Sequence, residues 1–164
     1  VPARAVARFY IRAPRREVLS GITAKVLNVA QGAAMITGTQ VEWNEFELGT
    51  DNMVPNHSLA LAFGANLQRL NVINIEEFAE GRGSSDMGNV SRVVPAIHPY
   101  VSIGDGLVSH TPEFAKASVS QEGLQASITA AEALAYTVAD ILTDPLLFKA
   151  VQEEHARLKE SSVL

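Results

Sequence analysis

Gly83-Ser84-Ser85-Asp86-Met87-Gly88-Asn89-Val90-Ser91-Arg92 runs into Val93-Val94-Pro95-Ala96-Ile97-His98-Pro99-Tyr100, and a little further on comes Ser109-His110-Thr111-Pro112-Glu113. Nowhere else in the chain do glycines, small hydroxyl residues, an acid and two histidines crowd together. A packed core has no use for that composition, whereas backbone that turns tightly and presents polar groups does. Asp86 stands where an N-cap would stand, ahead of a short helical turn that Pro95 ends. Ala96 to Ile103 is apolar and strand-like, and Pro99 within it implies a sheet edge or a bulge. Gly104-Asp105-Gly106 reads as a turn. Thr111 followed by Pro112 is a helix-start signal, for one or two turns to Ala117.

Downstream the chain reads as helix. Ser120 caps a long helix over about Gln121 to Leu142, with Leu124, Ile128, Ala131, Ala135, Val138 and Leu142 on one face. Asp144-Pro145 repeats the cap-then-proline signal, and a last helix runs to about Lys159 with Leu147, Val151 and Leu158 inward. Upstream, Ala5 to Arg12 alternates, with Ala7, Phe9 and Ile11 on one face, as a half-buried strand does. Pro14 stops it. From Arg15 to about Thr37 the period turns helical through Val18, Ile22, Val26, Val29, Ala30 and Ala33, and Gly38 suits the residue after the helix end. Gln40 to Leu48 alternates again. The first ~48 residues therefore read as β-α-β. Two strands make no stable sheet alone, so this lobe needs further strands from a partner or from other chain. Gly49 to Pro55 reads as a linker. Asn56 can cap the next helix, whose stripe is Leu59, Phe63, Leu67 and Leu70. Val72 to Gly83 is mixed and acidic. The expected fold class is α/β, with domains at 1–50 and 51–164.

The 164 residues suffice for one domain or two small lobes, and 47% apolar against 19% charged residues marks a globular chain. The net charge of −5 argues against a nucleic-acid partner. With no cysteine, disulfides are excluded, and any metal must be held by His, Asp or Glu. The expectation is a cytoplasmic protein without a membrane span. The chain opens Val1-Pro2-Ala3-Arg4 without an initiator Met and enters a strand pattern at once, as though in the middle of a longer protein.

Among single residues His110 is the strongest candidate. It precedes a helix start and lies three residues from Glu113, and imidazole is a common metal ligand. The local alternative is an exposed loop histidine, since one His is not a metal site. Asp86 can orient a ligand or a substrate through a hydrogen bond, or serve only as a cap. His98 can line a pocket or be a core residue with a satisfied hydrogen bond. Arg12 can hold a substrate carboxylate with two parallel hydrogen bonds, or be a solvated edge charge. The stretch Gly83 to Ser85 can present backbone N–H groups to an anion. Nothing here is a Walker loop or a dinucleotide fingerprint. His57 and His155 read as helix-surface residues.

These residues carry a resemblance. Ser84-Ser85-Asp86-Met87-Gly88-Asn89-Val90-Ser91, Val94-Pro95-Ala96-Ile97-His98-Pro99 and His110-Thr111-Pro112-Glu113-Phe114, together with Val1-Pro2-Ala3 through Tyr10-Ile11-Arg12-Ala13-Pro14, resemble the C-terminal part of a zinc amidohydrolase. The family is that of aminoacylases and glutamate carboxypeptidases, in the branch similar to aminobenzoyl-glutamate hydrolases. The resemblance covers essentially the whole chain. It implies two lobes: an α/β catalytic domain with a pair of metal ions, usually zinc, and an inserted ferredoxin-like lid that commonly dimerises. Residues 1–50 resemble the second half of the lid, and 51–164 the return into the catalytic domain. His110 matches the last metal ligand, Asp86 the acid of a turn near the site, and Arg12 falls where some relatives use a lid Arg to hold the substrate carboxylate; Ser85 and His98 are the further substrate-binding candidates.

The departure from the family is large. Its other metal ligands, its bridging acid and its catalytic glutamate precede the lid, and this chain does not carry them. The implied function is amide hydrolysis of N-acyl amino acids or small peptides by a larger enzyme. This chain would be its C-terminal portion, inactive and without zinc alone, associating as a homodimer or with a complementing N-terminal portion. The alternative is a dimerisation or regulatory remnant that keeps the fold without the chemistry.

Overall fold

The computed structural model describes residues 2–76 and 84–160. Val1 and Gly83, which the sequence reading includes in a strand lead-in and an anion-presenting stretch, lie outside the described residues. The chain divides into two compact units. One comprises Val1–Asn52 with Ser84–Asp86, the other Met53–Gly83 with Met87–Leu164.

The first unit is built on α1 (Arg16–Thr37). Its N-cap, Arg15, provides no side-chain cap. The free N–H groups of a helix start still need acceptors, and returning chain supplies one: the Arg16 N–H donates to Asn52 Oδ1 at 3.3 Å, while the Arg16 guanidinium pairs with Asp51 at 2.7 Å. The helix ends as the sequence predicts. Gly38 takes the left-handed conformation (φ 67°) and its N–H reaches the Ala34 carbonyl.

No residue of α1 is fully buried. Among the described residues, Ala5–Arg12 and Gln40–Leu48, whose alternation predicts strands, carry no ladder of backbone hydrogen bonds. Side chains join them instead. Tyr10 donates to Glu47 at 2.8 Å, packs edge-on to Phe46 with ring centroids 5.4 Å apart, and the Arg8 guanidinium lies 5.6 Å from the same Phe46 ring. Alternation prepares a segment for a sheet, but a strand exists only where a neighbour completes its backbone bonds.

The second unit is helical: α2 (His57–Arg69), α3 (Met87–Ser91), α4 (Pro112–Ser118), α5 (Gln121–Thr143) and α6 (Pro145–Glu160). α2 packs on α5 and α6, and α5 also touches α6 and α4. The caps form where the sequence places them. Asn56 accepts from the Leu59 N–H (3.0 Å), Thr111 from Phe114 (3.2 Å), Ser120 from Gly123 (3.1 Å) and Asp144 from Leu146 (2.9 Å). The predicted stripe of α2 is buried at Leu59, Phe63 and Leu67, and Val151 of α6 is buried too.

Helix α5 departs from its reading. The stripe Leu124, Ile128, Val138 and Leu142 is exposed, Leu142 at 79%, while Gly123, Ala133 and Thr137 are buried. The buried face is the one made of small residues, because a small face allows α2 and α4 to approach closely. At Gly123 a Cβ would stand 2.2 Å from the Ala117 carbonyl oxygen, so α4 and α5 meet backbone to side-chain-free backbone. His155, read as a surface residue, is a second correction. It is buried, and its Nε2 lies 3.3 Å from the Val93 carbonyl. It follows Val151 by four residues and so shares the inward face of α6.

Candidate functional site

The interior of the second unit mixes polar with apolar residues. Phe63, Leu67 and Ala133 form its apolar cluster, with Leu70, Val72 and Ile97 packed against it. Beside it Asn56, Asn66, Ser91, Thr137 and His155 are buried. Each must find partners, since a buried polar group left unpaired costs about 1–3 kcal/mol. Asn56 is used fully. Its N–H donates to the Ala96 carbonyl (2.9 Å), its Nδ2 to the Val151 carbonyl (3.0 Å), and its Oδ1 caps α2. Asn66 donates to Thr137 Oγ1 (3.2 Å) and Asp140 (2.7 Å) and accepts from Arg69 (3.0 Å), whose guanidinium also lies over the Tyr136 ring. Ser91 accepts from the Val54 N–H (3.0 Å) and donates to the Gly88 carbonyl (2.7 Å). The Asp86–Ser91 segment is therefore anchored at its far end by a buried hydroxyl.

Glu154 of α6 binds the start of α2, accepting from the Ser58 N–H (2.8 Å) and Ser58 Oγ (2.6 Å) and from the His57 N–H. Burial pushes its carboxyl up. The Ser58 hydroxyl, the two N–H groups and the neighbouring His57 side chain outweigh that and hold it below the usual carboxylate value.

His110 sits just ahead of α4 with φ 67°, a left-handed conformation that a residue with a Cβ adopts at a cost of about 1–3 kcal/mol. The next residue holds it there. Thr111 Oγ1 donates to the Val108 carbonyl (2.7 Å) while it accepts the Phe114 N–H, so one hydroxyl closes the loop behind His110 and opens the helix in front. The imidazole is exposed, and Glu113 lies exposed in the first turn of α4. His98 is exposed rather than a core residue, and stacks on Tyr100 with centroids 5.2 Å apart at 28°.

In the first unit the structure brings together residues 72 positions apart. Arg12 donates through Nη2 to Ser84 Oγ at 3.2 Å, and Ser85 Oγ lies 3.3 Å from Asp86 Oδ1. The candidate carboxylate-binding Arg12 thus adjoins the Ser84-Ser85-Asp86 stretch. Among the described residues no three His, Cys, Asp or Glu side chains converge as metal ligands. These residues do not by themselves make a zinc site. No helix among them is long and apolar enough to cross a membrane.

Two features of the site were missed at the sequence level although a signal existed. Asn66 and His155 fall on the buried stripes of their helices by spacing alone. The left-handed turn at His110 had no such signal.

Comparison with known proteins gives first a class: the chain is similar along its length to hydrolases of dipeptides. In particular it is 34% identical over 168 residues, covering 100% of this chain and 39% of the relative, to a mouse (Mus musculus) protein named Xaa-Arg dipeptidase. It is 35% identical over 157 residues, covering 94% of this chain and 36% of the relative, to the human (Homo sapiens) protein of the same name. The chain spans well under half the length of the curated relatives it matches. No protein-family model matches it.

Proposed function

We propose that this chain serves metal-dependent hydrolysis of the amide bond in dipeptides and N-acyl amino acids, with C-terminal arginine peptides as the substrate class to test first. The observation that carries this reading is the similarity, over 100% and 94% of this chain, to the two proteins named Xaa-Arg dipeptidase. The strained backbone at His110 supports it, because such strain clusters at functional residues. In this reading His110 contributes one imidazole to a zinc centre, whose further ligands and catalytic glutamate lie outside this chain. Arg12, braced by Ser84, is the candidate for holding the substrate carboxylate, and Asp86 is the acid of its own turn. The chain alone is inactive. The finer assignment, to the branch of aminobenzoyl-glutamate hydrolases and a cytoplasmic setting, belongs to the same proposal.

The α/β lid is also proposed. Residues 5–12 and 40–48 become strands when a further strand, from a second copy or from additional polypeptide, supplies their missing backbone partners. The apolar stripe left exposed on α5 favours a further packing partner as well.

The test is a polypeptide that joins this chain to the ligands implied upstream of the lid. It should bind close to two equivalents of zinc and hydrolyse Ala-Arg. His110→Ala should lose at least one equivalent and nearly all turnover. Full metal content and activity in that variant would remove His110 from the site. A metal-free, inactive polypeptide that still dimerises would favour the non-catalytic reading.

A further inference from the structure

We infer that the exposed His98–Tyr100 pair is a recognition shelf for a guanidinium group, and so a specificity determinant for arginine-containing substrates. The inference rests on the dipeptidase reading and deepens it. Pro99 holds the geometry: it fixes its own φ and lacks an N–H, so the segment cannot wind into helix there. The residue before a proline is pushed to extended backbone, and in extended chain side chains two apart lie on the same side. His98 and Tyr100 accordingly stack, 5.2 Å apart at 28°, and the outer face of the phenol ring is open, with Tyr100 85% exposed. The shelf is rooted, because Ala96 just before it is buried and its carbonyl accepts the Asn56 N–H. A large aromatic pair in water, held in place on a stiff segment, is preorganised for a flat cationic ligand.

The chain itself shows what such a ring takes. Arg69 lies over Tyr136 at 5.4 Å and Arg8 over Phe46 at 5.6 Å. Of the three tyrosines, Tyr10 binds Glu47 and Tyr136 carries Arg69, whereas no cation lies over Tyr100 among the described residues. Arginine prefers this contact because its guanidinium is planar and weakly hydrated, while the lysine ammonium is compact and strongly hydrated. The shelf lies in the same unit as His110, at the other end of the loop that leads to it.

The test titrates the 164-residue chain with Ala-Arg, Ala-Lys and Ala-citrulline, whose side chain is flat but uncharged, and follows the Tyr100 and His98 ring signals by NMR. Ala-Arg should move both rings, and Ala-citrulline should bind about three- to fivefold more weakly. Tyr100→Phe should keep the response and Tyr100→Ala should lose it. Equal responses to Ala-Arg and Ala-citrulline, silent rings, or an unchanged response in Tyr100→Ala would overturn the inference. In the longer polypeptide used to test hydrolysis, Tyr100→Ala should raise KM for Ala-Arg with kcat held. An unchanged KM there also overturns the shelf while leaving the dipeptidase reading intact. Loss of all dipeptide hydrolysis in the unsubstituted polypeptide tells against the dipeptidase reading instead, and the ring titration still decides the shelf.

Discussion

The two units answer differently to the same demand, that backbone and apolar surface be covered. In the second, α2, α5 and α6 enclose Phe63, Leu67 and Val151 and tie them with buried side-chain bonds from Asn56, Asn66, Ser91 and His155. In the first, a 22-residue helix buries no residue fully, and Phe9, Val29, Trp43 and Leu48 stay exposed. Its contacts include Arg16 with Asp51, Tyr10 with Glu47 and Arg12 with Ser84. The second unit has a buried core of its own, although the α5 stripe stays exposed, whereas the helix of the first buries no residue fully. Polar side chains matter most where nothing else can replace their bonds, so substitutions should weigh very differently on the two sides.

The largest effect is expected at Asn56. Asn56→Ala leaves the Leu59 N–H without its cap and removes the buried side-chain bond to the Val151 carbonyl, and should destabilise the second unit by about 3 kcal/mol in chemical denaturation. Gly123→Ala should follow at about 2 kcal/mol, because the new methyl meets the Ala117 carbonyl and forces α4 away from α5. Hydrogen exchange would then show the amides of residues 113–118 opening ahead of those in α2. Unchanged protection there would mean that the close approach is not what holds α4. Thr111→Ala should cost about 1 kcal/mol and relax the left-handed turn at His110. The expected readout is a more mobile His110 ring signal with the α2–α5 contacts intact.

Acid should sharpen the contrast. The Glu154 carboxyl is held below its ordinary value in the folded chain, so its stabilising contribution is present above the unfolded value and fades as pH falls through the folded one. Glu154→Gln should flatten that acid limb in the second unit only. A limb unchanged in the variant would assign it to other carboxylates. The smallest effect belongs to the first unit. Val29→Ala, at a side chain 72% exposed, should change stability by less than about 0.5 kcal/mol. A loss several times larger would show that this face of α1 is covered in solution, which would favour a second copy there.

Helix ends were legible in the sequence, and strands and faces were less so. The caps at Asn56, Thr111, Ser120 and Asp144, and Gly38 beyond α1, rest on one side chain and its neighbours within four residues, and local chemistry suffices for that. The same locality singled out Asp86, His98 and His110 as unusual residues. It could not pair Arg12 with Ser84 across 72 positions, nor set the backbone of His110 at φ 67°.

Which face of α5 turns inward was decided by its neighbours. Leu124, Ile128, Val138 and Leu142 make the stronger apolar stripe, but α2 offers Asn66 and Arg69, and α4 comes within a methyl group of Gly123. Close approach and satisfied polar bonds therefore chose the small-residue face. Alternation in residues 5–12 and 40–48 likewise specifies which side chains share a side, not whether a neighbouring backbone is there to bond. The sequence by itself determined where helices start and stop and which residues are chemically out of place. Only tertiary structure decided which surfaces meet, because close approach and hydrogen-bond completion depend on both partners at once.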